Sequence, residues 1–91
     1  MPIKVLIPAP LRSYTGKNES LLLDGNTVGA VLRQLVTLHS SLKKHLYSED
    51  GSIRKYVNVY VNDEDIRYLQ NEHTPVTEKD IISIIPSIAG G

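Results

Sequence analysis

The sequence contains no cysteine. Disulfides, thiolate catalysis and cysteine-ligated metals are thereby excluded. It also lacks net charge, because ten Lys and Arg balance ten Asp and Glu. That removes the strong field of a nucleic-acid binder or a polybasic membrane binder, and points to protein or small-molecule partners. No long apolar run is present either. Residues 1–11 are apolar, but Pro2, Pro8 and Pro10 interrupt them, and they lack the length of a signal-peptide core with its cleavage site. The densest run, Ile81-Ile82-Ser83-Ile84-Ile85, is far too short to span a bilayer. The expectation is a cytoplasmic protein, with no nucleic acid or membrane among its partners.

What is there fits one domain over residues 1–91. Ile3, Val5 and Ile7 alternate with Lys4 and Leu6, the period of a strand with one buried face. Pro8 and Pro10 stop it. Residues 11–20 read as a polar connection turning at Gly16, Lys17 and Asn18, and Ser20 to Leu23 as a second strand that pairs with the first. Asn26 or Thr27 can cap a helix. Val28, Val31, Leu32, Leu35 and Leu38 follow at helical spacing, which predicts a helix over residues 27–38. Gly29 inside it costs about 1 kcal/mol relative to alanine, which close packing on a sheet would explain. A short helical piece over residues 41–46 follows.

Val57, Val59 and Val61 alternate with Asn58, Tyr60 and Asn62 in the clearest strand of the chain. Residues 66–69 read as a brief edge strand, residues 70–80 as irregular, and residues 81–85 as the last strand. A hairpin, a helix and further strands make an α+β fold, a mixed sheet covered on one face. The β-grasp is the simplest such arrangement, with the first and last strands adjacent at the sheet centre. Ile3, Val5, Ile7, Val57, Val59, Val61, Ile82 and Ile84 then face the helix. A ferredoxin-like split βαβ is the alternative, but it needs a second long helix.

Most chemistry-bearing residues read as structural. His39, His45 and His73 lie far apart without ligand spacing, so helix-end or surface positions are expected and no metal site. Asp63-Glu64-Asp65 lacks the glycine and distal Glu of a calcium loop and reads as a solvated turn. No serine sits in a nucleophile elbow. Lys43-Lys44-His45 and Arg54-Lys55 read as solvated basic faces.

The end of the chain is more specific. Pro86 ends the last strand, and Ser87-Ile88-Ala89-Gly90-Gly91 follows. Small side chains and a single Ile cannot build a core, so a flexible tail over residues 87–91 is expected. Five extended residues reach roughly 17 Å, enough to deliver a terminal carboxylate into another protein's active site. Glycines without Cβ atoms thread a narrow channel. A frayed terminus is the plain alternative. If Ile82 and Ile84 face the helix, Ile85 points the other way, with Leu6 and Tyr60 as neighbours, and forms a docking patch with Pro86 and Ile88 beside the tail.

Residues 84–91, Ile-Ile-Pro-Ser-Ile-Ala-Gly-Gly, resemble the tail of the ubiquitin-like sulfur carriers of the ThiS and MoaD types. Residues 57–67 resemble the branch that supplies sulfur for cysteine biosynthesis. Ile7-Pro8, Leu11-Arg12, Thr15-Gly16 and Thr27-Val28-Gly29-Ala30-Val31 are similar to that branch's opening and first helix. The likeness covers nearly the whole chain. One departure is Lys79 before Asp80, where the family usually has glycine.

The resemblance implies a carrier rather than an enzyme. A ubiquitin-activating-like enzyme uses ATP and magnesium to adenylate the Gly91 carboxylate. Sulfide or an enzyme persulfide then displaces AMP and leaves a thiocarboxylate. Ala89, Gly90 and Gly91 thread the active sites, Ile85, Pro86 and Ile88 bind the partners, and no cofactor or metal is bound intrinsically. In the cysteine branch the sulfur attacks an aminoacrylate held on pyridoxal phosphate by a cysteine synthase, and a metalloprotease releases cysteine. Within the family the alternatives are the small subunit of molybdopterin synthase, partnered by the large subunit, or a thiamin sulfur carrier. Outside it stand a ubiquitin-like modifier joined to lysines and a bare interaction module.

Overall fold

The computed structural model describes residues 2–86. The expected tail, residues 87–91 with Ile88, Ala89, Gly90 and Gly91, lies outside the described residues. Alternation forms strand β1, Ile3–Leu6, with Ile3 and Val5 buried and Lys4 and Leu6 facing out. Antiparallel β2, Ser20–Leu23, sets Leu23 opposite Ile3 and Ser20 opposite Leu6.

The connection between them is not the polar loop expected for residues 11–20. Ala9–Thr15 winds into a 3₁₀ helix after Pro8, and Leu11 and Thr15 are buried. Pro8 and Pro10 have no N–H to lose and a φ already suited to a helical first turn. Gly16 and Lys17, both with φ near 65°, close it in the left-handed region, at φ 65° and 67°.

Gly25 turns the chain out of β2. Its φ is 151°, and a Cβ there would stand 2.8 Å from Val31 Cγ2 and 2.9 Å from Val31 N, so glycine is required. Thr27 then caps helix α1, Val28–Leu38, its hydroxyl accepting from the Ala30 N–H at 3.2 Å. Val28, Val31, Leu32 and Leu35 are buried as the spacing requires. Leu38 is exposed instead, and Leu42, one turn further on, fills the core position. Gly29 also packs differently from expectation. A Cβ there would lie 3.1 Å from the Glu72 carbonyl oxygen, so its close neighbour is the 3₁₀ turn Asn71–His73 and not the sheet.

A 3₁₀ turn, Ser40–Leu42, leads into the short helix α2, Lys43–Leu46. Strand β3 is Val57–Val61, and Asn62 (φ 59°) turns it into β4, Glu64–Asp65. The edge strand expected over residues 66–69 is a 3₁₀ helix, Ile66–Tyr68. Asp65 Oδ1 takes the Arg67 N–H at 2.9 Å, and this local bond competes with sheet pairing. Lys79 is not among the residues with positive φ, so the turn before the last strand accepts lysine. Asp80 organises that turn, accepting from Thr77 N at 2.8 Å and Asn62 Nδ2 at 3.0 Å.

The last strand, β5, is Ile81–Pro86. The five-stranded sheet runs β2-β1-β5-β3-β4, with β1 and β5 parallel and every other pair antiparallel. Its inner face presents Ile3, Val5, Ile7, Val57, Val59, Val61, Ile82 and Ile84, all buried, to the α1 stripe. This is the β-grasp arrangement. Among the described residues, no helix is long and apolar enough to cross a membrane.

Candidate functional site

The period of two gives β5 two different faces. Ile82 and Ile84 enter the core, and Ile81, Ser83 and Ile85 point away from α1. Register fixes their neighbours. Leu6 on one side and Tyr60 on the other flank Ser83, Asn58 lies opposite Ile85, and Lys4 separates Ile81 from Leu22. The uncovered face therefore carries Leu6, Leu22, Tyr60, Ile81 and Ile85 around a small central serine. Leu22 is 68 % exposed and Ile85 51 %. A single exposed apolar side chain is ordinary, whereas several gathered on one face are the kind of feature that marks interaction surfaces. Ile85 stands where the sequence placed it. Leu22 and Ile81 were missed, because their membership depends on which strands neighbour β1.

Pro86 is the last described residue, half-buried and opposite Val57. The described residues thus stop at the end of a central strand, beside the outer face of the sheet.

At the margin of that face three polar side chains converge. Asp65 lies opposite Tyr60. Its carboxylate accepts from Arg67 Nε at 3.1 and 3.2 Å and from Nη2 at 2.7 Å. Arg67 Nη2 also donates to Asn58 Oδ1. The Arg67 hydrogen bonds hold the Asp65 carboxyl below its usual range, and Asp65 in turn raises Arg67, with the Tyr60 and Tyr68 phenols adding to it. Asp65 is 11 % exposed and Arg67 53 %. Residues 63–65 are therefore only partly the solvated turn expected. The Asp65-x-Arg67 spacing was the available signal for the pair.

The other chemistry-bearing residues do not assemble. Among the described residues, no group of three His, Asp or Glu side chains is disposed to hold a metal. His45 packs on Tyr14, ring centres 4.7 Å apart. A concavity of about 410 Å³, walled by Ile53, Val57, Val59 and Ile66, reaches the Asp65 and Arg67 side chains at its rim.

A mixed sheet with its first and last strands parallel at the centre and one main helix across it defines a ubiquitin-like protein of the β-grasp class. The chain belongs to the ThiS family, which matches residues 5–91. It is similar to the sulfur carrier protein CysO of Mycobacterium tuberculosis (strain ATCC 25618 / H37Rv), 38% identical over 93 residues and 100% of both chains. In structure it is similar to a chain of the BexX/CysO complex of Amycolatopsis orientalis, with TM-score 0.87 and 35% identity over 98% of this chain and 99% of that one. It also resembles small archaeal modifier protein 3 of Haloferax volcanii, 37% identical over 68 residues, 75% of this chain and 73% of the relative.

Proposed function

We propose that this protein is a sulfur carrier for cysteine biosynthesis whose reacting group is the Gly91 carboxylate. The observation that carries this reading is the similarity to CysO over the entire length of both chains. The fold suits the role, because Pro86, the last described residue, ends a central strand beside an apolar face.

The chemistry takes place in an adenylating partner enzyme. The ionised carboxylate of Gly91 attacks the α-phosphate of ATP, a carboxyl–phosphate bond forms and pyrophosphate leaves. Sulfide then attacks the acyl carbon and AMP departs, leaving a C-terminal thiocarboxylate. Ala89, Gly90 and Gly91 thread the enzyme's channel, and Ile85, Pro86 and Ile88 dock beside it. ATP and magnesium belong to the partner, which stabilises the charge developing on the phosphates. The thiocarboxylate next serves a pyridoxal phosphate-dependent cysteine synthase, and a metalloprotease releases the product. An ATP-dependent activation suits a cytoplasmic location.

Incubation with the adenylating enzyme, ATP, magnesium and sulfide should shift the intact mass by one oxygen-to-sulfur exchange at Gly91. Removing Gly91 should abolish the shift. A thiocarboxylate whose sulfur passes only to a molybdopterin precursor would move the protein to that branch of the family. The similarity to an archaeal modifier supports a second reading, conjugation to lysines. Lysine conjugates with no thiocarboxylate would establish it.

A further inference from the structure

We propose that Arg67, oriented by Asp65 and Asn58, is the polar anchor of the open sheet face and receives an acidic side chain of the enzyme that activates the tail. The inference rests on the carrier reading above and adds the residue that fixes how the two proteins dock.

Position is the first argument. Asn58 lies opposite Ile85 and Asp65 opposite Tyr60, so the three polar residues border the apolar group directly. Interfaces of this kind join an apolar centre to a polar rim.

Unused donor capacity is the second. A guanidinium has five N–H donors. Asp65 takes Nε and one side of Nη2, and Asn58 takes the other. Among the described residues Nη1 has no acceptor, which leaves a pair of N–H groups for an outside carboxylate. The side chain is half exposed but already held in place, so a partner would form the bond with little further ordering.

Charge is the third argument. The register places one cation, Lys4, and one acid, Asp65, on this face, and Arg67, bonded to Asp65 at 2.7 Å and to Asn58, brings a second cation to its margin. The net field favours an acidic partner group. A purely structural role explains less, because exposed ion pairs contribute little to stability.

The test uses the full chain and the adenylating enzyme of the same organism. It measures the dissociation constant at low and high salt, and the kcat and KM for thiocarboxylate formation. Arg67→Ala should weaken binding about tenfold or more at low salt and reduce its salt dependence, raising KM with kcat nearly unchanged. Arg67→Lys keeps the charge but cannot span Asp65, Asn58 and a partner together, so it should recover only part of the loss.

Asp65→Asn separates positioning from bulk charge. It makes the face more positive, so simple attraction would tighten binding, whereas loss of the orienting carboxylate should weaken it severalfold. Thermal unfolding of each variant should stay close to wild type. Arg67→Ala binding within twofold of wild type, or Asp65→Asn binding more tightly, would overturn the proposal while leaving the carrier reading intact. A wild-type chain that is never thiocarboxylated would remove that reading and this inference with it.

Discussion

Tyr47 shows how a single residue encodes a pH dependence that no motif announces. Its side chain is buried, and its hydroxyl has no hydrogen-bond partner among the described residues. Burial pushes the phenol up to about 12 from 10; the nearby Glu72 charge adds to this, and Arg33, 5.8 Å from the ring centre, opposes it. In the unfolded chain the phenol ionises near 10, while in the folded chain it keeps its proton until about 12. The contribution to stability is therefore complete below pH 10 and lost as pH rises towards 12. Tyr47→Phe should flatten that alkaline loss, read as the urea midpoint from pH 8 to 11.5. At pH 7 it should be neutral or stabilising by up to about 1 kcal/mol, since it removes an unsatisfied hydroxyl. None of this was legible in the sequence, because Arg33 and Glu72 reach Tyr47 only through the fold. Gly25 was opaque for a similar reason, its need for glycine arising from Val31 across a turn.

At the scale of elements, legibility followed periodicity. The strands over Ile3–Leu6, Val57–Val61 and Ile81–Pro86 and the helix Val28–Leu38 stand where alternation and helical spacing put them. The 3₁₀ segments Ala9–Thr15 and Ile66–Tyr68 were hidden, because one depends on prolines entering a helix and the other on Asp65 capturing a backbone N–H. The candidate site divided in the same way. Ile85 was readable from β5 alone, whereas the Asp65–Arg67–Asn58 cluster needed the β3–β5 and β3–β4 registers. Strand β5 also supplies a paired test of its two faces. Ile85→Asp should leave the fold intact and weaken binding to the adenylating enzyme, measured by titration calorimetry. Ile82→Asp, at a position with 0 % exposure, should abolish cooperative unfolding, because a charge there has neither water nor a partner.

Over the whole molecule, the sheet closes only when its two sequence extremes meet. β1 begins at Ile3 and its central partner β5 begins at Ile81, so the widest sequence separation in the sheet is joined at its middle. Such non-local pairing must pay loop-closure entropy before it gains contacts. A chain ending at Asp80 should accordingly be digested rapidly by thermolysin, while one ending at Pro86 should resist it like the full protein. Survival of the shorter chain would show that the hairpin and helix fold without the central strand. Viewed from the ribosome, this arrangement makes translation its own proofreader. The hairpin, α1 and β3 all emerge before the strand that unites them, so a polypeptide released before Ile81 lacks the centre of its sheet and is left open to proteases.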